Sequence, residues 1–206
     1  MAYYIKLFQN HSDYLAFTQT GDFIRPNVSA CVEQEEVHYN PTIPCITCFV
    51  TLPSDKMVYL FNGVNPQTAP SMVEVDGVRV NSFETVSENN CLLYGVNLTQ
   101  GNHTIKYYLQ DETFLGQILS SYYFWPYGSP ATAIYDITNE IVLPDTIERI
   151  DEWSLCRFCS VSCNVPANLI SVGEFAFNAE GCYDFTLEEI SHIKSLCDGQ
   201  AFIIPK

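Results

Sequence analysis

The chain has 206 residues, of which 47 % are hydrophobic and 16 % charged, a composition that excludes a disordered chain. Its 24 acidic residues outnumber 9 basic ones and give a formal net charge of −15. Because a surface this acidic repels phosphate backbones, we expect no direct contact with nucleic acid.

The sequence predicts neither a membrane span nor a secretion signal. No apolar run approaches the roughly 18 residues that a transmembrane helix needs, so we expect no membrane partner. Residues 1–8 also lack the basic start and apolar run of a signal peptide. We therefore expect the protein to be made in a cytoplasm.

Aromatic residues make up 14 % of the chain, and aromatic and β-branched residues favour strands. The sequence predicts a mainly β protein in three parts. Residues 1–42 form a small N-terminal hairpin module, residues 43–111 an immunoglobulin-like β-sandwich, and residues 112–206 a short C-terminal leucine-rich-repeat-like block. In the first part, an alternating segment at 3–8 predicts a strand, and N-cap residues at 10–13 predict a short helix over 13–19.

Residues 43–111 read as consecutive short strands with turn signals between them, which is typical of a β-sandwich. Asp76-Gly77 predicts a tight hairpin, and Gln100-Gly101-Asn102 predicts another turn. The predicted strands are Cys45–Leu52, Lys56–Phe61, Met72–Val75, Val78–Val80, Cys91–Val96 and His103–Leu109.

Residues 141–177 contain two copies of one 22-residue unit. Pro166 lies 22 residues after Pro144, and every apolar position of the first copy then meets an apolar position of the second. A fixed period near 22 with this spacing lies in the range of leucine-rich repeats, whose units bury their apolar faces by stacking. The matched apolar pairs are Leu143 with Val165, Ile147 with Leu169, Ile150 with Val172, Trp153 with Phe175 and Leu155 with Phe177.

Degenerate segments flank the two copies. Residues 114–119 resemble the second half of a unit, and residues 202–205 resemble the start of another. An aromatic run lies in the irregular lead-in and is either a core plug or an exposed patch that contacts a partner. We take it as the candidate interface of a homo-oligomer, with the residues Tyr122, Tyr123, Phe124, Trp125 and Tyr127.

Two features resemble known families. The segments 141–150 and 169–177 resemble the BspA-type leucine-rich repeat, whose pattern is a strand, a proline, an Ile-Gly-x-x-Ala-Phe segment and a following cysteine, here Cys182. The first copy departs from that pattern at Asp151 and at Ser154-Leu155.

The opening of the chain resembles virion structural proteins of crAss-like phages of Bacteroides, through residues 4–8, 26–29 and 36–41. The resemblance implies a virion component that is made in the host cytoplasm, bound to other virion proteins and assembled as a dimer or trimer. It also implies that residues 1–42 anchor the protein, with Pro26, Asn27, His38 and Tyr39 as candidate anchoring residues.

No motif in the sequence indicates catalysis or a cofactor. The four histidines form no metal-binding spacing, and no nucleophile-elbow, phosphate-loop or dinucleotide motif is present. Asp145, Glu148, Asp151 and Glu152 cluster in one copy, where we expect a solvent-facing surface instead of a glycosidase pair. The CxxC pairs at Cys45 and Cys156 lie too far apart for a compact zinc ribbon.

The resemblance of the N-terminal part, the modular order and the absence of catalytic motifs together favour a non-enzymatic phage virion protein without catalytic, cofactor or metal residues. The expected location is the capsid surface, as an auxiliary or head-fibre component that presents the repeat. The alternatives are a tail or baseplate component, and a bacterial surface protein that binds like an adhesin. A further alternative, from a different class of function, is a carbohydrate hydrolase that uses the acidic cluster.

Overall fold

The computed structural model describes residues 43–63, 69–88, 91–117, 119 and 132–204, and for residues 86–88 and 91 only the backbone. In the described ranges the protein is mainly β, with thirteen strands against two short α-helices. The described residues belong to one compact unit. Their strands are β1 Ile46–Leu52, β2 Lys56–Asn62, β3 Met72–Val75, β4 Val78–Arg79, β5 Glu84–Glu88, β6 Cys91–Leu98, β7 Gly101–Tyr108, β8 Phe114–Leu115, β9 Thr132–Ala133, β10 Thr138–Val142, β11 Arg149–Ile150, β12 Ser162–Cys163 and β13 Ser171–Val172.

Two larger sheets share one core. The first has the strand order β12-β10-β1-β7-β3-β4, and the second has the order β5-β6-β2-β9. Alternate residues of β1, beginning with Ile46, are buried, as are Val58 and Leu60 of β2, and all of these join the same apolar cluster. The connections from β1 to β2 and from β2 to β3 carry the chain from one sheet to the other, whereas β3 with β4 and β5 with β6 form hairpins within one sheet.

The predicted hairpin at Asp76-Gly77 is confirmed. β3 and β4 pair antiparallel, and Asp76 and Gly77 have φ values of 53° and 77°. Positive φ at both central residues matches the right-handed twist of the flanking strands. The side chain of Asp76 also accepts hydrogen bonds from the backbone N–H of Thr104 at 2.8 Å and from Nδ1 of His103 at 2.7 Å. This turn is therefore tied to β7.

Residues 132–142 connect the two sheets. β9 pairs in parallel with β2 of the four-stranded sheet, and β10 pairs antiparallel with β1 of the six-stranded sheet. Between them lies the one-turn helix α1, Ile134–Ile137, whose Ile134 side chain is buried. A strand pairing at each end and a buried residue in the middle hold this segment against both sheets.

The two copies of the repeat unit lie side by side in the register that the sequence predicts. We call residues 141–162 the first winding and residues 163–184 the second winding. β11 and β13 pair in parallel with Ile150 beside Val172, and a further parallel bridge joins Leu155 to Phe177. At these positions a residue of the first copy lies next to the residue 22 positions later, which is the offset between the two copies in the sequence.

The first winding starts as a continuation of the six-stranded sheet. β10 pairs with β1 on one side and with β12 in parallel on the other, so Ile141 lies between Cys48 and Cys163. All three side chains are buried. Both larger sheets therefore contain strands from before and after residue 111, and residues 43–111 and 112–206 are not separated by a break in the sheets or the core.

The segments that flank the copies behave differently. β8, at the start of the segment 114–119 that resembles half a unit, pairs in parallel with β11 and so extends the stack before the first winding. Phe202 lies beside Phe177, which ends the second copy, so the prediction that residues 202–205 start a new unit is wrong. Residue 202 takes the place of the end of a unit because the nine-residue helix α2, Leu187–Ser195, occupies much of the connection before it.

Neither helix in the described ranges has the length and apolar character that a membrane span requires. α2 begins at an N-cap: the hydroxyl of Thr186 accepts from the backbone N–H of Glu189, whose carboxylate in turn accepts from the backbone N–H of Thr186.

Candidate functional site

The site residues that the sequence predicts lie outside the described residues. This holds for the candidate interface, Tyr122, Tyr123, Phe124, Trp125 and Tyr127, and for the candidate anchoring residues, Pro26, Asn27, His38 and Tyr39. The described part of the chain does contain the two windings, and their exposed surface is the remaining candidate for a binding site.

Side chains at equivalent positions form ladders on this surface. The hydroxyl of Ser162 donates to Asp184 at 2.8 Å, 22 residues later, and the backbone N–H of Cys163 donates to the same carboxylate at 3.0 Å. These two hydrogen bonds, with the backbone one the larger cause, lower the pKa of Asp184. The carboxylate therefore stays charged and holds the end of the second winding against β12, where the first winding passes into the second.

Asn164, at the start of the second winding, makes a similar connection to Leu143 at the start of the first. Its side-chain oxygen accepts from the backbone N–H of Leu143 at 2.7 Å, and its side-chain nitrogen donates to the carbonyl of the same residue at 2.8 Å. One amide thus satisfies both backbone groups of Leu143, as a neighbouring strand would. Asp145 accepts from the backbone N–H of Ala167 at 3.0 Å and repeats the 22-residue spacing.

A second ladder runs across β8, β11 and β13. The guanidinium of Arg149 lies 5.0 Å from the centre of the Phe114 ring and 3.5 Å from a carboxylate oxygen of Asp111. The hydroxyl and the backbone N–H of Thr113 both donate to Asp111, and together they lower its pKa. Arg149 is therefore half enclosed by an aromatic ring and a charged carboxylate.

The surface around these ladders is strongly acidic. Residues 132–204 contain twelve Asp and Glu residues but only Arg149, Arg157 and Lys194 as Arg and Lys residues. Lys194 forms an ion pair with Glu180, and Arg149 with Asp111, so two of these three bases already have acidic partners. The field of this region attracts basic surfaces and repels polyanions.

Three of the four acidic residues of the first copy face the solvent, as the sequence predicts. Asp145, Glu148 and Glu152 are exposed, whereas Asp151 is half-buried and accepts from the backbone N–H of Glu152. Outside the first copy, the carboxylate of Glu189 accepts from the backbone N–H of Thr186 at the start of helix α2. These contacts assign structural positions to Asp151 and Glu189.

The two CxxC pairs do not converge. In the described ranges, no group of three or more His, Cys, Asp and Glu side chains is arranged to hold a metal ion. Cys48 is fully buried in β1, Cys156 is buried, and Cys45 is half-buried. Burial raises the pKa of the Cys48 thiol, and it is also the largest cause of the raised pKa of Cys163. Such thiols are inert side chains of the core.

One thiol pair, however, does lie at the surface. The Sγ atoms of Cys159 and Cys182 are 2.8 Å apart, one in each winding, with Cys159 exposed and Cys182 half-buried. CxxC spacing does not predict this pair, because its two cysteines belong to different windings. A signal was present: the two residues are 23 positions apart, one more than the repeat period.

No family model matches this chain, and the searches found neither a similar curated protein nor a similar solved structure.

Proposed function

We propose that this protein is a non-enzymatic phage virion protein on the capsid surface, either an auxiliary or a head-fibre component. In this proposal residues 1–42 anchor the chain, residues 43–111 form an immunoglobulin-like spacer, and residues 112–206 present a BspA-type leucine-rich-repeat block. The chain is made in the host cytoplasm and assembles with other virion proteins.

The observation that carries the proposal is the continuity between sheets and windings. The six-stranded sheet runs from β4 to β12 without a break, so the repeat begins on a strand that also pairs with β1. Residues 132–142 also pair with the other sheet. A part that presents a surface on a particle needs such rigidity, because a force on the outer end must reach the anchor without unfolding a linker.

The fold assignments within the proposal have separate support. Strands that alternate between two sheets with one shared core support an immunoglobulin-like sandwich. The 22-residue parallel register and the ladders from Ser162 to Asp184 support a leucine-rich-repeat block.

The chemistry of the presented surface suggests the kind of partner. Because acidic residues dominate residues 132–204, a basic protein surface fits it better than nucleic acid or an anionic lipid. The aromatic run at 122–127 is proposed as the contact within a dimer or trimer.

Mass spectrometry of purified particles from a host that encodes the chain tests the proposal. We expect the chain among the virion proteins, at a copy number that follows the major capsid protein across preparations. A chain that remains with the host lysate and does not copurify with intact particles contradicts a virion role.

Electron microscopy with a gold-labelled antibody against residues 132–204 separates the locations. Labelling of the head supports a capsid-surface component, and labelling of the tail end supports the baseplate alternative. Labelling of intact, uninfected bacterial cells instead supports a surface adhesin and overturns the virion proposal.

A further inference from the structure

Cys159 and Cys182 lie at a corner where the two windings meet. Their Sγ atoms are 2.8 Å apart, whereas a bonded pair lies at about 2.0 Å. We infer that these two thiols are a redox modification site, which a low-molecular-weight disulfide oxidises to an intramolecular disulfide between the windings.

The backbone around the pair is already held in place. The N–H of Val161 donates to the carbonyl of Cys182 at 2.9 Å, and Val161 forms a parallel bridge with Tyr183. The N–H of Cys182 donates to the carbonyl of Ala179 at 2.8 Å and closes a short 3₁₀ turn at Glu180–Cys182. The two sulfur atoms therefore lie close together on backbone segments that are already fixed by hydrogen bonds.

Cys159 differs from the other described cysteines in accessibility, since Cys45, Cys182 and Cys197 are only half-exposed. Cys48, Cys156 and Cys163 are buried in the core, where an oxidant cannot reach them without local unfolding. Cys159 is exposed. It is therefore the thiol that meets a soluble oxidant first.

The step is thiol–disulfide exchange in two parts. The Cys159 thiolate attacks one sulfur of the small disulfide, whose S–S bond breaks, and one small thiolate leaves and takes a proton. The Cys182 sulfur, after loss of its proton to water, then attacks the Cys159 sulfur and displaces the second small thiolate. Two protein thiols are thus oxidised by two electrons, and one small disulfide is reduced to two thiols.

The pKa of Cys182 is raised in the reduced pair, and part of that rise depends on Cys159. The pKa is raised to about 11, first by burial, then by the hydrogen bond with Cys159 and by the charge of Cys159. Hydrogen bonds from the backbone of Ser160 and Ala179 lower it in part. Once Cys159 is in the mixed disulfide, it no longer carries a thiol or thiolate. The two contributions from Cys159 then disappear, and Cys182 loses its proton more readily.

The disulfide joins residues 23 positions apart, so it restricts a whole winding in the unfolded chain. Restriction of a loop of this length raises Tm by roughly 5–10 °C for a protein of this size. Oxidation therefore locks the second winding to the first without a change in the presented surface.

The test uses the full chain, purified reduced, freed of reductant and incubated with mixtures of oxidised and reduced glutathione. Free thiols are then alkylated and the peptides mapped by mass spectrometry without reduction. We expect a peptide pair linked through Cys159 and Cys182, a mass lower by two hydrogen atoms and a higher Tm that reductant reverses. Cys159→Ser and Cys182→Ser should each remove all three results. The control is Cys45→Ser, which changes a half-buried cysteine outside the windings and should keep them.

Three results would overturn the inference. The first is recovery of both residues as alkylated thiols after the most oxidising mixture. The second is a stable glutathione adduct on Cys159 with no link to Cys182. The third is a disulfide between two chains, seen as a dimer on a non-reducing gel that Cys159→Ser abolishes. Because these readouts need no virion, they separate a failure of this inference from a failure of the proposed function.

Discussion

The indole ring of Trp153 stacks on the ring of Phe175, with centroids 4.6 Å apart and an interplanar angle of 27°. Both residues have positive φ, 61° and 54°, which is rare for bulky side chains. The N–H of Trp153 donates to the carbonyl of Glu174, and the N–H of Phe175 donates to the carbonyl of Gln200. The two copies therefore share a strained backbone conformation that joins each of them to the chain segment that follows.

We predict that Trp153 and Phe175 are energetically coupled. Trp153→Ala and Phe175→Ala each remove one of the stacked rings, and each should therefore lower the free energy of unfolding. Because alanine still carries a Cβ atom at positive φ, neither variant relieves the backbone strain. A double-mutant cycle measured by urea denaturation should give a coupling of about 0.5–1.5 kcal/mol. If the two effects add without coupling, the rings are neighbours that contribute nothing to each other's stability.

Gly173 marks a close approach of the windings. A Cβ atom at this position would lie 2.3 Å from the backbone nitrogen of Glu152 and 2.7 Å from the carbonyl carbon of Asp151. Because backbone atoms cannot rotate away, Gly173→Ala should destabilise the protein by roughly 1–3 kcal/mol.

The matched control for Gly173 is Gly181→Ala, since a Cβ atom at position 181 meets nothing within 4 Å. Thermal unfolding of the two variants beside the parent chain measures the difference. Equal Tm values for the two variants would contradict the close packing of Gly173.

Ile141 tests whether sheets and windings unfold together. It is fully buried between β1 and β12, so Ile141→Ala should cost about 2–5 kcal/mol. Amide hydrogen exchange should then be faster in β1 and in β12 by a similar factor. The control is Ile170→Ala, at a residue that is 64 % exposed, with an expected change within about 0.5 kcal/mol. Loss of protection in the windings alone would show that they unfold separately.

The pair of His103 and Asp76 predicts a pH dependence. Nδ1 of His103 lies 2.7 Å from the Asp76 carboxylate, and Nε2 lies 3.0 Å from the carbonyl of Thr99. Both partners accept hydrogen bonds, so the doubly protonated ring is favoured, and the hydrogen bond with Asp76 is the largest cause of the raised pKa of His103. The pKa of Asp76 is lowered: burial, the largest single influence, raises it, but is outweighed by the hydrogen bonds from His103 and Thr104.

The signs of these shifts define the window. The stabilisation from His103 is full below its unfolded pKa of about 6.5 and is lost as the pH rises through the raised folded pKa. The stabilisation from Asp76 is present above its unfolded pKa of about 3.9 and is lost as the pH falls through the lowered folded pKa. The pair should therefore stabilise the fold most between about pH 4 and 6.5.

Urea denaturation of the parent chain and His103→Gln across this range measures the effect. We expect a difference of at most about 1 kcal/mol at pH 5.5, since Asp76 is 49 % exposed, and a smaller difference at pH 8.5. His192→Gln, at an exposed histidine of α2, should show no such trend. A difference between parent and His103→Gln that does not vary with pH would contradict the ion pair.

Local signals in the sequence predicted much of the fold. The strand Met72–Val75 has the predicted bounds. The turn at Asp76-Gly77 is predictable because Asp and Gly are among the residue types that adopt positive φ readily. Helix α2 is not predicted by a long amphipathic pattern, since it has only nine residues, although Thr186-x-x-Glu189 is a capping box. Strand β5 was missed since its sequence lacks an apolar alternation.

The sequence by itself determined the β class, the Asp76-Gly77 hairpin and the 22-residue register, because each depends on residue types at short or fixed spacing along the chain. Only the tertiary structure decided that residues 132–142 connect both sheets, that Phe202 lies beside Phe177, and that Cys159 meets Cys182. These contacts depend on which strand edges are free and on how buried side chains fill one shared core. Neither condition appears in any single segment of the sequence.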